Sequence, residues 1–195
     1  MSQPRADVRS TQPSEYFDPI NGFVKGVAAF LGTYAAMVGL LYLEVTKAGG
    51  SVEFPLLLAG ALEWAYAAHY GAVSVETVFS SGASLSLPGE AYYVVPAFVL
   101  LWRGRELAAD RRLPDARAAA VRGSSVVVGY AVSVLAAQSA LTAVLEAFAD
   151  ASGDPALAVS LQFPGSFPQL VAVAGLAYPV VLGAVGGILA YQRHN

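Results

Sequence analysis

Residues Gln169–Tyr191 read QLVAVAGLAYPVVLGAVGGILAY, 23 positions without a charge. One helix of that length crosses a hydrocarbon core of about 30 Å. Gly175, Pro179, Gly183 and Gly187 recur every fourth residue. At about 100° per residue they make one narrow, slowly drifting stripe. Gly183 and Gly187 form a small-xxx-small step that lets another backbone come close. Pro179 removes a helix hydrogen bond and predicts a kink. The stripe is therefore expected to be a helix-packing seam, with Leu and Val elsewhere facing lipid.

The rest of the chain has the same character. It is 56% hydrophobic and 13% charged, with a mean hydropathy of +0.55. A soluble domain carries about 25% charged residues, so an all-α integral membrane protein is expected. Without cysteine, disulfides and thiol chemistry are excluded. His69 and His194 are too few for a His-rich metal cage, and no metal or cofactor is expected. The net charge of −3 argues against nucleic acid as a partner.

Outward from the last helix, the apolar segments predict a single membrane domain over 19–195, behind a disordered cytoplasmic tail over 1–18 that is polar and rich in Ser, Gln and Pro. Spans are expected over about 21–43, 85–102, 124–148 and 169–191. Lys25 can snorkel from the first span, and Gly32 and Gly39 offer it a small-residue face. Pro96 is expected to bend the second span. Residues 54–78 are ambiguous. Glu63, Tyr66, His69, Tyr70 and Glu76 share one side of a helical wheel, while Leu57, Ala61, Trp64 and Ala68 share the other. That pattern predicts an amphipathic helix lying in the interface or half-inserted.

Orientation follows the cations. Arg103, Arg105, Arg111, Arg112, Arg117 and Arg122 cluster in one connecting segment, whereas the loops before and after it lack Lys and Arg. The positive-inside rule puts this segment, Arg193 and the N-terminal Arg5 and Arg9 in the cytoplasm of a cell-membrane protein. Four spans plus the ambiguous helix on the outer side place both termini inside. Five spans are the alternative.

Three stretches resemble a family of small, uncharacterised multi-pass membrane proteins of halophilic archaea. They are Trp64-Ala-Tyr-Ala-Ala-His-Tyr70, Val126-Val-Val-Gly-Tyr130 and Gly175-Leu-Ala-Tyr-Pro-Val-Val-Leu-Gly183 with Gly186-Gly187. Where the family's pattern has an Asn before Ala-His, this chain has Ala67, so that amide is absent. The resemblance implies a fold and a location, not a mechanism.

Chemistry is expected, if anywhere, around Glu63 and His69, because an ionisable group at membrane depth costs about 3 kcal/mol on insertion scales. With Tyr66 and Tyr70 they form a candidate polar site that can relay a proton or hold a small cation. The blander reading is that this side of the helix meets headgroups and water. No catalytic motif is present. Gln138, Ser139, Thr142 and Glu146 form a second polar strip, expected to hydrogen-bond between helices. A structural or accessory bundle protein, packing against itself or a membrane partner subunit, is the leading expectation. The alternative is a small transporter or proton-linked permeation protein using Glu63 and His69. Apart from the bilayer itself, anionic lipid headgroups are the expected partners of the Arg-rich segment.

Overall fold

The computed structural model describes residues 13–51, 54–70, 86–109, 112–153 and 167–194. Its first long helix, α1 (Pro19–Lys47), begins at Asp18, whose carboxylate accepts the Asn21 backbone N–H at 3.1 Å. Pro19 suits the first turn, where its missing N–H would have no partner anyway. The chain leaves α1 through Gly49 at φ 72°, a left-handed position suited to glycine. α2 (Phe54–Ala67) and α3 (Gly89–Ala109) follow. Asp115 caps α4 (Ala116–Ser124) by accepting the Ala118 N–H at 2.7 Å. α5 (Val127–Ser152) closes on Gly153 at φ 68°. The last element is α6 (Phe167–Leu170), a π-helical stretch (Val171–Ala177) and α7 (Tyr178–His194).

The described residues are helical and contain no strand. Three helical stretches are long and apolar enough to cross a membrane: Pro19–Lys47, Ala116–Ala151 and Val171–Arg193. The described residues are thus all-helical, and these three stretches suggest a membrane protein. The expected second span differs in detail, since α3 starts at Gly89 and runs on to Ala109. Its last turns carry Arg103, Arg105 and Glu106, which lower its apolar character. α3 continues through Pro96 without interruption.

Side-chain pairs fix the helix directions. Phe30 stacks edge-on against Tyr130, and Gly22 and Gly26 meet Ser125 and Val126, so α1 and α5 run the same way. Lys25 pairs with Glu106 at 3.0 Å, and Tyr92 donates to Glu44 at 2.9 Å, so α3 runs opposite to α1. Gly183 faces Gly123 while Gly187 faces Ala119, so α7 runs opposite to α4 and α5. α1, α3, α5 and α7 therefore alternate in direction. α2 is inserted among them, packed on α1 and touching α5.

Glycines set the closest approaches. Side chains on Gly183 or Gly187 would collide with the backbone of α4, and one on Gly104 with Gly183. Gly183 and Gly187 of the expected stripe both lie close against α4, and Gly186 adds a third close approach, its missing side chain admitting the Leu101 carbonyl of α3. Gly175 packs more loosely, where a Cβ would meet Ala131 at an ordinary 3.8 Å. On α1 the expected face is corrected. Gly39 borders open space and a Cβ on Gly32 would meet Val99 at an ordinary 3.8 Å, whereas Gly22 and Gly26 make the close contacts. Pro179 sits in α7 just beyond the π-helical stretch. It cannot donate to the Gly175 carbonyl and its ring crowds that turn, and the wider π turns relieve the crowding.

Two further expectations change. Residues 1–12 of the expected tail lie outside the described residues, but Pro13–Tyr16 forms a 3₁₀ turn packed on α4. Arg122 holds this segment, because its guanidinium meets the Asp18 carboxylate at 2.8 Å. The helix expected over 54–78 is α-helical only to Ala67, and its residues beyond Tyr70 lie outside the described residues.

Candidate functional site

α2 is built from Ala, Gly and Leu around a few large rings, which lets it sit deep between its neighbours. Every residue from Ala59 to His69 is buried. The two-sided pattern expected of an interfacial helix is therefore not what the structure contains. The apolar side, with Leu57, Ala61, Trp64 and Ala68, packs on Met37, Leu41 and Val45 of α1, and Trp64 stacks edge-on with Tyr92 at 5.0 Å. The polar side is buried too, with Glu63 3% and His69 6% exposed. It turns inward because α5 and α7 offer it partners in place of water.

The chain tightens after Ala67. Ala68 donates to the Trp64 carbonyl at 2.9 Å, then His69 and Tyr70 donate to Tyr66 and Ala67 at 3.0 Å each. This turn sets the His69 ring over its own helix end, with Nδ1 2.6 Å from the Ala65 carbonyl. A carbonyl only accepts, so Nδ1 carries the hydrogen. Nε2 of the neutral ring then accepts from the Tyr130 hydroxyl at 2.9 Å. Tyr178 presents its ring edge-on to His69, with centroids 4.8 Å apart. Tyr66 donates to the Val134 carbonyl at 2.9 Å. The structure thus gathers Tyr66 and His69 with α5, and His69 with α7, while Glu63 is buried one turn before Ala67 and Tyr70 is half-buried at the turn's end.

Tyr130 and Tyr178 join the site from outside the expected group of Glu63, Tyr66, His69 and Tyr70. A signal was present: each is a phenol within an expected apolar span and not at its first or last residues, where membrane tyrosines collect. The Gln138–Glu146 strip contributes less than expected. Ser139 and Thr142 donate to carbonyls of their own helix, Leu135 at 3.2 Å and Gln138 at 3.1 Å, and both are exposed.

Polar clusters close both ends of the bundle. At the Arg-rich end, Glu106 accepts from Lys25, Arg103 and Trp102 at 3.0, 2.8 and 2.7 Å. Partial burial pushes the Glu106 carboxyl up, but the hydrogen bonds from Arg103, Lys25 and Trp102 outweigh it and hold it at about 2. Hydrogen bonds from the Asn21 side chain and backbone, with Arg122 beside them, keep Asp18 below the ordinary carboxylate range. Arg122 also donates to the Leu107 carbonyl at 2.8 Å, so it faces inward. At the other end Glu44 accepts from the Ser86 N–H and hydroxyl at 2.8 and 2.6 Å.

The chain matches the family of unknown function DUF7978 over residues 1–194, and it belongs to that family. No curated protein and no solved structure matches it.

Proposed function

We propose that this DUF7978 member is a multi-pass membrane protein in which α2 carries a proton-exchange site, at Glu63 and His69, that supports passage of a proton or small ion. One observation carries the reading: Nε2 of the buried His69 lies 2.9 Å from the Tyr130 hydroxyl, which donates to it when the ring is neutral. That nitrogen takes up a proton only if the Tyr130 hydroxyl turns from donor to acceptor. The imidazolium so formed needs a counter-charge, and Glu63 is a buried carboxyl in the helix that leads into the His69 turn. Protonation is thus coupled to a change in how α2 meets α5.

Four crossings, with α2 half-inserted from the outer side, fit the alternating helix directions. Residue 51 follows the end of α1, and Ser86 is bonded to Glu44 in the last turns of α1, so the intervening chain starts and finishes at one end of the bundle. The opposite end holds the turn at Pro13–Tyr16, the end of α7 and the exposed Arg105, Arg112 and Arg117. Both termini are then cytoplasmic by the positive-inside rule. Among the described residues of the Arg-rich segment, the same three arginines are the groups offered to anionic lipid headgroups, since Arg103 is paired and Arg122 is buried. An acidic balance of −3 accords with the salt-adapted archaeal host that the resemblance implies.

Purified protein in liposomes bearing a proton gradient should dissipate it, and Glu63→Gln should stop that without unfolding the protein. Equal leak with wild type, Glu63→Gln and empty liposomes refutes the reading. A structural or accessory role is the second reading. It is favoured by the double hydrogen bonding of His69, which suits a lock at the helix tip, and it predicts no flux. Cysteines at Ser2, Ser81, Asp115 and Gly153, labelled with an impermeant reagent, test the topology separately. Only Ser81 and Gly153 should label from outside, and labelling at Ser2 favours five spans.

A further inference from the structure

α1 and α5 touch where Gly26 meets Val126 and Gly129, and beyond the Phe30–Tyr130 contact Tyr34 of α1 and Ala137 of α5 line a shared cavity. α2 fills only part of the gap. A cavity of about 460 Å³ is left, with Phe30, Ala59 and Leu62 on its walls and the exposed Leu31, Phe54 and Val144 also bordering it. Such a volume falls within the range of about 300–1,000 Å³ typical of small-molecule sites. Ala137 and Ala140 contribute to the space, because their side chains stop short of α2.

The lining decides the ligand. Tyr34 supplies its one polar side chain, and that hydroxyl is already committed to the Leu58 carbonyl at 3.1 Å. A ligand with a headgroup, a charge or an unsatisfied hydroxyl would find no partner there and would lose its hydration. Water is equally unfavoured, since apolar cavities stay dry and take up apolar guests. The exposed Leu31, Phe54 and Val144 lie on the outside of a bundle whose α1 and α5 are of membrane-crossing length and apolarity. What surrounds such a face is lipid hydrocarbon.

We infer that the cavity between α1, α2 and α5 is a binding site for one hydrocarbon chain of a bilayer lipid. The chain enters between Leu31 and Val144 and lies against Ala59 and Leu62. Filling the cavity restores the dispersion contacts that an empty one forfeits, and it places lipid against the helix that carries His69. The inference rests on the membrane position of the bundle and not on proton exchange.

The test uses the full chain in phosphatidylcholine vesicles doped with a phosphatidylcholine bearing a diazirine in its acyl chain. After photolysis the labelled residues are mapped by mass spectrometry. Ala59 and Leu62, only 2% and 6% exposed, should be labelled together with the outward-facing Val24 and Val181. Ala140→Trp should lower labelling at Ala59 and Leu62 several-fold and leave Val24 and Val181 unchanged. Ala137→Phe, which fills the same space from another turn of α5, should act alike, so a variant that misfolds does not decide the matter. Unlabelled Ala59 and Leu62 beside labelled Val24 and Val181 overturn the site, as does undiminished labelling in folded variants. Unlabelled Val24 and Val181 would instead overturn the membrane position itself.

Discussion

The Tyr130 hydroxyl and Nε2 of His69 lie 2.9 Å apart, although 61 positions separate them in the chain. The bond joins the turn after α2 to the first turn of α5 and ties a half-length helix to one of membrane-crossing length. Because Nδ1 is held by the Ala65 carbonyl, the ring cannot turn to offer Tyr130 its other nitrogen.

Removing the donor should be costly. Tyr130→Phe leaves a buried ring nitrogen without a partner, a loss of about 1–3 kcal/mol. Unfolding in detergent measures it, and ¹⁵N spectra of the imidazole report any change of tautomer. Wild-type stability in this variant would mean that water or another group serves Nε2 equally well.

The glycine seam predicts an asymmetry between neighbours. Gly183→Leu forces a side chain into the Gly123 backbone of α4, whereas Leu182→Ala trims a half-buried side chain. Gly183→Leu should be the more destabilising, by roughly 1–3 kcal/mol or more, as overpacking usually is. Equal melting temperatures for the two variants would contradict the close approach of α7 to α4.

Arg122 and Asp18 form a pair with only 6% and 15% of their side chains exposed. Arg122→Ala removes the ion pair from an Asp18 that keeps its Asn21 hydrogen bonds, and it leaves the Leu107 carbonyl without this donor, so a loss of about 1–3 kcal/mol is expected. Asp18→Asn keeps a good N-cap and should cost less. Denaturant titration of both variants checks the order, and the reverse order would show that the cap outweighs the ion pair.

Acid should loosen the Arg-rich end. Glu106 has a carboxyl held at about 2 against an ordinary 4.5. The folded protein therefore favours the charged form, so the stabilisation is complete above about pH 4.5 and is lost as pH falls towards 2. Its side chain is a third exposed, so the gain is about 1 kcal/mol or less. Wild type should melt slightly above Glu106→Gln at neutral pH, and the gap should close in acid. A gap that widens in acid would reverse the sign.

Much of this protein was legible in single residues and short periods. The uncharged run at 169–191 specifies a helix long and apolar enough to span, because a backbone in hydrocarbon must satisfy its hydrogen bonds within itself. Gly183 and Gly187 announced a packing face, because absent side chains are visible in sequence. The wheel of α2 brought Glu63, Tyr66, His69 and Tyr70 to one side. What covers that side was not legible. An amphipathic pattern is the same whether the polar face meets water or a neighbour's phenol, and only the positions of α5 and α7 bring Tyr130 and Tyr178 to His69. The choice of Gly22 and Gly26 over Gly32 and Gly39 was likewise tertiary. All four glycines offer the same freedom of approach, and the crossing point of α1 and α5 decides which of them is used. Local chemistry is written in the chain, but which surfaces meet depends on how several helices pack at once.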